Sequence, residues 1–362
     1  MPSAYATKLA EAFSSKLMQQ VYARSIFDIL CNRDYEGEVQ KGSKVNIPAL
    51  SRVAEKTYSG ADLTADDLTE ITAVLTVDQF KSFYIKSKTI DEYKSYIKDP
   101  MDKTTDQRAN ERKKNVDSFV LGFYGDVAAG NRVGTNYTTG TVEVAVTTGV
   151  VTGTGTTFTA AMVGKGFKAT GHSKWYRVKT YTNATTITIE NDSDDETSSY
   201  DGGAISAGAT YTVEAATAVT LAANNLMTEV LALKQKLDEN EVPDEDRILV
   251  VPPVVENLIP VSNNIAISVP AVYEELVKRG FITELAGFKV FRSTRLSGDN
   301  TNGYHILAAH KSWLTFADKV LEAGMEEDLP GNFGAAFKDL YVYGAKVADE
   351  RRAFAAELFA KV

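Results

Sequence analysis

Two stretches in the carboxy-terminal half decide how this chain is read: Arg247-Ile-Leu-Val-Val-Pro-Pro-Val-Val-Glu-Asn-Leu-Ile259 and Arg279-Gly-Phe-Ile-Thr-Glu-Leu-Ala-Gly-Phe-Lys-Val-Phe-Arg-Ser-Thr-Arg-Leu296. In the first, the apolar run Ile248–Val251 reads as a buried strand. Pro252-Pro253 then starts a short helix through Ile259, because proline at a helix start sacrifices no hydrogen bond. The second closes a helix over Pro270–Arg279, which stops at Gly280. A hairpin follows: Phe281–Glu284, the turn Ala286-Gly287, and Phe288–Ser293.

Downstream, Tyr304–Ala309 and Trp313–Asp318 read as strands, Phe337–Ala348 as another, and the tail to Val362 as extended or helical. Upstream, Thr217–Asn240 is a helix with Leu226, Val230, Leu233 and Leu237 on one face. Before it, from Val133 to Ala215, helical periodicity is lost and threonine and glycine dominate. Short alternating runs recur there at Thr141–Val146, Thr156–Thr159, Trp175–Lys179, Thr185–Ile189 and Thr210–Val213. Turn clusters separate them, which predicts a small β-sandwich or barrel inserted between helical flanks.

Asp102–Ala129 predicts a long helix with Val116, Phe119, Val120, Phe123 and Val127 on one face. Its front half, Lys103–Asn115, is polar on every side, a pattern of solvated helices or of helices lying between partners. Lys44–Leu50 and Glu70–Lys86 predict two long strands joined by a polar tip, a hairpin with too little core to stand alone. Ser3–Leu30 predicts a helix whose stripe (Leu9, Phe13, Leu17, Val21, Tyr22) packs in its own core or on a neighbouring subunit.

Composition narrows the function. The chain has 362 residues, 44% of them apolar and 24% charged, so it folds rather than staying disordered. No apolar stretch approaches the roughly 20 residues of a membrane helix, and Met1–Phe13 has no signal-peptide core. A net charge of −9 disfavours sequence-independent DNA binding. Cys31 is the single cysteine and forms no internal disulfide.

The motifs that would carry chemistry fail on inspection. His172, His305 and His310 are scattered, and with Cys31 they make no plausible zinc set. Gly42-Ser-Lys44 reverses the Lys–Ser order of a phosphate loop and precedes a strand. Gly153-Thr-Gly155 lacks the third glycine of a dinucleotide fingerprint. Asp192, Asp194 and Glu196 have calcium-loop spacing, but Thr197 and Gly203 occupy the positions of the required glycine and glutamate. No catalytic residue, cofactor or metal is expected.

The two opening stretches resemble tailed-phage major capsid proteins, which carry a helix ending in glycine, an Ala-Gly-Phe turn and a Val-containing strand before Ser and Leu. His305–Lys319 resembles the strand pair that follows, and Asn332–Ala348, with Tyr341, Tyr343 and Gly344, the last strands. The resemblance implies an α+β chain of the HK-ninety-seven-type (Johnson) fold plus an inserted all-β domain. Its parts would be an amino-terminal arm (1–31), an extended E-loop (32–100), the peripheral-domain spine helix (101–132), the inserted domain (133–215), an axial-domain region (216–300), and axial or peripheral strands with the tail (301–362). The insertion resembles small β-modules of phage structural proteins, including coats of the Salmonella phage P-twenty-two type.

The function so implied is a shell subunit that assembles into hexamers and pentamers around double-stranded DNA. Portal, scaffolding or decoration proteins would be its partners, and the virion, built in the host cytoplasm, its location. The acidic tip residues Asp62, Asp66, Asp67 and Glu70 would contact Arg108, Arg112, Lys113 and Lys114 of a neighbouring subunit. An encapsulin-like shell is the alternative of the same fold. A carbohydrate-binding β-module attached to an enzyme, with Trp175, Tyr176 and Tyr181 stacking on sugars, is the alternative of another class.

Overall fold

The computed structural model describes residues 25–35, 44–50, 70–88, 100–193, 199–262, 284–326 and 334–362. Along the chain run α1 (Phe27–Leu30), β1 (Cys31–Asn32), β2 (Lys44–Leu50), β3 (Glu70–Thr76), β4 (Gln79–Lys88) and α2 (Pro100–Leu121). Next come β5 (Arg132–Val133), β6 (Thr135–Tyr137), β7 (Thr141–Val144), β8 (Val150–Thr154), β9 (Gly166–Ala169), β10 (Tyr176–Asn183), β11 (Thr186–Asn191), β12 (Ile205–Ala209), β13 (Tyr211–Thr217) and β14 (Val219–Thr220). The rest is α3 (Leu226–Glu239), β15 (Arg247–Val251), α4 (Pro253–Leu258), β16 (Glu284–Leu285), β17 (Phe288–Arg292), β18 (Gly298–Asp299), β19 (Gly303–His310), β20 (Leu314–Glu326), β21 (Gly334–Val347) and β22 (Ala355–Lys361).

β15 explains the body. It lies between β17, parallel, and β19, antiparallel, in the sheet β14-β22-β19-β15-β17-β16. All five of its residues are buried. Ile248 and Val250 face a core shared with α1, α2 and the sheet β1-β20-β21-β4, whereas Leu249 and Val251 face a second core under α3 and α4. A strand covered on both faces has no solvent side to alternate with, hence its unbroken apolar run. On the α3 side, Leu226, Val230, Leu233 and Leu237 form the buried stripe. Ala286 and Gly287 turn the β16–β17 hairpin with φ of 52° and 86°, the left-handed pair that a tight two-residue hairpin turn needs.

The strands from β6 to β13 form one continuous antiparallel sheet, β12-β7-β8-β11-β10-β9-β13-β6, around its own core of Val151, Phe167, Ile187, Val213 and neighbours. Thr156–Thr159 is not a strand. Thr156 Oγ1 and the Phe158 N–H donate to the Ala184 carbonyl, and Phe158 plugs the core. Flanking this sheet, β5 pairs in parallel with Glu357–Leu358 and β14 with Ala360–Lys361, so both attach to β22.

The long helix ends at Leu121, earlier than Ala129. Gly122–Asp126 tightens into a 3-10 turn containing Gly122 and Gly125, residues that hold a helix poorly. β20 and β21 are longer than their patterns suggested, because they zip together from Leu314↔Val347 to Glu326↔Ala336. After a 3-10 turn at Asp349–Phe354 the tail is strand β22. The expected helices over Ser3–Leu30, apart from α1, and Pro270–Arg279 lie outside the described residues, as does most of the expected acidic loop at 194–198.

Candidate functional site

The hairpin rests on its own chain. β2 and β3 pair from Lys44↔Thr76 to Leu50↔Glu70, and after Val77-Asp78 the chain continues as β4 on β21. Val45, Leu75 and Val77 pack on Ala317 and Val342. Gly344 permits this crossing: a Cβ there would lie 2.2 Å from the Thr76 carbonyl oxygen and 2.8 Å from the Val77 Cα. Beyond the hairpin base, Phe80 and Tyr84 of β4 are 60% and 51% exposed. Of the acidic tip, Asp62, Asp66 and Asp67 lie outside the described residues, and Glu70 is the first residue of β3.

The other face of the β4–β21 sheet carries α2. Arg112 forms an ion pair with the buried carboxylate of Asp339, and its guanidinium lies 4.3 Å from the centre of the Tyr341 ring. Arg108 sits 4.8 Å over Phe83 and donates to the Ser82 carbonyl at 3.2 Å. Both arginines are thus engaged on their own sheet. Two of the polar residues in this half-helix are therefore guanidiniums set over aromatic rings. Lys114 pairs with Glu111 at 2.6 Å, and Lys113 is exposed. Further along α2, Asp117 accepts hydrogen bonds from Ser25 Oγ and from the backbone N–H groups of Ile26 and Phe27, holding the start of α1. Burial raises its pKa, and those three donors oppose the rise.

A buried ion cluster joins the eight-stranded sheet to the body. Arg132 reaches Glu357 at 3.0 Å and Glu214 at 3.6 Å, and donates to the carbonyls of Gly125 and Val127. Lys165, before β9, meets Glu357 at 3.4 Å, and His305 Nδ1 lies 2.5 Å from the same carboxylate. The His305 ring is stacked between Tyr124 and Phe359, at centroid separations of 3.9 and 4.7 Å. Arg352 pairs with Asp192 at 2.6 Å on the flank. Burial pushes Glu357 upward, yet Arg132, His305 and Lys165 together hold its pKa down at about 2. Burial dominates at Glu214, raised to about 7 despite Arg132 and the Gly130 N–H, and it lowers Lys165 against the pull of Glu357.

No sequence motif marks this cluster. Its signal is charge at positions where strand alternation or an apolar run calls for burial: Lys165 two before Phe167, Glu214 between Val213 and Ala215, and Glu357 between Ala356 and Leu358. The histidines lie apart from one another. His172 bonds Tyr200, and His310 bonds Ser312. Among the described residues no group of three or more His, Cys, Asp or Glu side chains could hold a metal.

No protein-family model matches the chain, and no curated protein sequence does. Solved structures do match it end to end. One of Mycobacterium phage Che8 aligns over 98% of both chains with a TM-score of 0.64 and 17% identity. The capsid structure of the cyanophage P-SCSP1u aligns over 98% of this chain and 93% of that one, with a TM-score of 0.60 and 14% identity. The asymmetric unit of the bacteriophage PhiM1 mature capsid aligns over 97% and 91%, with a TM-score of 0.56 and 12% identity. The chain has a phage capsid fold. This capsid fold is mixed α and β, as the resemblance implied, and among the described residues no helix is long and apolar enough to cross a membrane.

Proposed function

We propose that the chain is the major capsid protein of a tailed phage, with a structural rather than a catalytic role. The observation that carries this is the match to capsid structures over nearly the full length of both chains. In this reading residues 1–31 are the arm, 32–100 the E-loop, and 101–132 the spine helix. Residues 133–215 are an inserted β-domain, 216–300 contribute to the axial domain, and 301–362 supply the remaining strands and the tail.

Copies close into hexamers and pentamers, and these into an icosahedral head around double-stranded DNA, held without base recognition. A net charge of −9 suits a wall that must not grip the packaged polymer. Portal, scaffolding or decoration proteins complete the particle, which assembles in the host cytoplasm. The exposed Phe80 and Tyr84 of β4, beside the hairpin base, favour cover from a neighbouring copy. The acidic tip, Asp62, Asp66, Asp67 and Glu70, would meet the cations of a neighbouring α2 there, Arg108, Arg112, Lys113 and Lys114, of which Lys113 is exposed.

Negative-stain electron microscopy of the purified protein should show closed shells, or hexamers and pentamers on the way to them. A strictly monomeric species across concentration and salt, by light scattering, would overturn the reading. Changing Asp62, Asp66 and Asp67 to lysine should lower assembly yield without altering subunit folding. Normal yield and salt tolerance would remove the tip from the contact.

A further inference from the structure

We propose that a groove on the eight-stranded sheet, between the β9–β10 loop and β13, binds an acidic saccharide. The groove has a volume of about 590 Å³ and is lined by Thr138, Lys168, Thr170, His172, Trp175 and Thr210, among others. That size lies in the range that takes one small ligand. The inference concerns this sheet alone and stands whether or not the chain assembles into shells.

Three features specify the ligand's chemistry. The first is an apolar platform. Trp175 is half-buried and seated on Gly130, where a Cβ would come within 2.8 Å of the indole Cδ1, so the absence of a side chain there is what lets the ring lie so close to the backbone. An indole offers a broad face to the C–H side of a pyranose ring. The second is a pair of exposed hydroxyls, Thr170 Oγ1 and Thr210 Oγ1, 2.7 Å apart. Each can donate and accept, which suits the vicinal hydroxyls of a sugar. The third is charge. Among the described lining residues Lys168 carries the sole full charge, with its ammonium 5.9 Å from the Trp175 ring centre. A cation beside an aromatic platform, with no carboxylate among the lining residues, favours a hexuronate over a neutral hexose.

The wall is rigid. His172 Nδ1 accepts from the Ala169 N–H at 3.2 Å, which leaves the proton on Nε2 to donate to Tyr200 Oη at 2.8 Å. Tyr200 in turn donates to the Gly203 carbonyl at 2.7 Å. Burial, with Lys168 nearby, keeps this histidine below its usual pKa and so neutral near pH 7. A site whose wall is ordered before binding loses less entropy when the ligand arrives.

The chain has two tryptophans, and the other, Trp313, is fully buried in the body, so Trp175 reports on its own groove. Methyl β-D-glucuronide and methyl β-D-glucoside would be titrated into the full chain, read by tryptophan fluorescence and by saturation-transfer NMR. A saturable response is expected, with the glucuronide about tenfold tighter. Lys168→Ala should abolish that preference, and Thr170→Val with Thr210→Val should weaken both sugars, at unchanged melting temperature. No saturable response up to about 20 mM would overturn the proposal. So would equal binding by all variants, or displacement of the sugar by inorganic phosphate at lower concentration, which would make the groove an anion site.

Discussion

Arg132 and Glu357 face each other at 3.0 Å with both side chains almost wholly withdrawn from water. They sit in register where β5 lies beside β22, so one ion pair marks the point at which the eight-stranded sheet leaves the body. Removing one partner strands the other's charge in a poor dielectric. Glu357→Ala should cost about 3–5 kcal/mol of unfolding free energy in chemical denaturation. A double change of Arg132→Met with Glu357→Leu should cost less than the sum of the two single changes, because the two residues share one contact that either single change already breaks.

The same cluster sets a pH profile of two opposing slopes. Glu214, raised to about 7, keeps a proton in the folded chain that an unfolded glutamate has released above its ordinary value of 4.5. Its contribution to stability therefore falls as pH rises from about 4.5 to 7. Glu357, held at about 2, has released in the folded chain a proton that the unfolded chain still binds. Its contribution is present above 4.5 and is lost as pH falls toward 2. Melting temperatures across pH 2–8 should show both limbs, and Glu214→Gln should flatten only the upper one.

Arg112→Ala should destabilise the chain by about 2–3 kcal/mol, since it leaves the buried Asp339 carboxylate without its cation. Lysine should not rescue it, because an ammonium cannot both pair with Asp339 and lie flat on Tyr341. Lys113→Ala, one position along and exposed, should change stability by less than about 0.5 kcal/mol. Urea denaturation of the three variants gives the comparison.

Gly344→Val places a side chain where the Thr76 carbonyl now sits. Backbone cannot yield as a flexible side chain can, so the hairpin base should lift from Ala317 and Val342. Hydrogen exchange in β2 and β3 should speed up by about tenfold or more, while exchange in β15 stays protected.

The parts legible in the sequence are those whose pattern has one local cause. Leu226, Val230, Leu233 and Leu237 repeat at helical spacing because a single face is buried. Gly287 marks a hairpin turn by its own freedom to take a positive φ. The in-chain contacts of Arg108 and Arg112 are not legible, because cation–aromatic packing leaves no periodic trace. Arg132, Lys165, Glu214, His305 and Glu357 come from distant parts of the chain and meet only through the pairing of β5, β13, β19 and β22. No local spacing encodes that meeting. The lengths of β20 and β21 were hidden for the same reason, since each is extended by its partner.

β22 receives β5 at Glu357–Leu358 and β14 at Ala360–Lys361. The chain leading into the eight-stranded sheet and the chain leading out of it are thus moored two positions apart on one strand, about 7 Å along its axis. A guest polypeptide whose own ends lie that close could be spliced between Val133 and Val219 without respacing the moorings. The body would meet that guest only as a short bridge between two fixed posts, whatever its size.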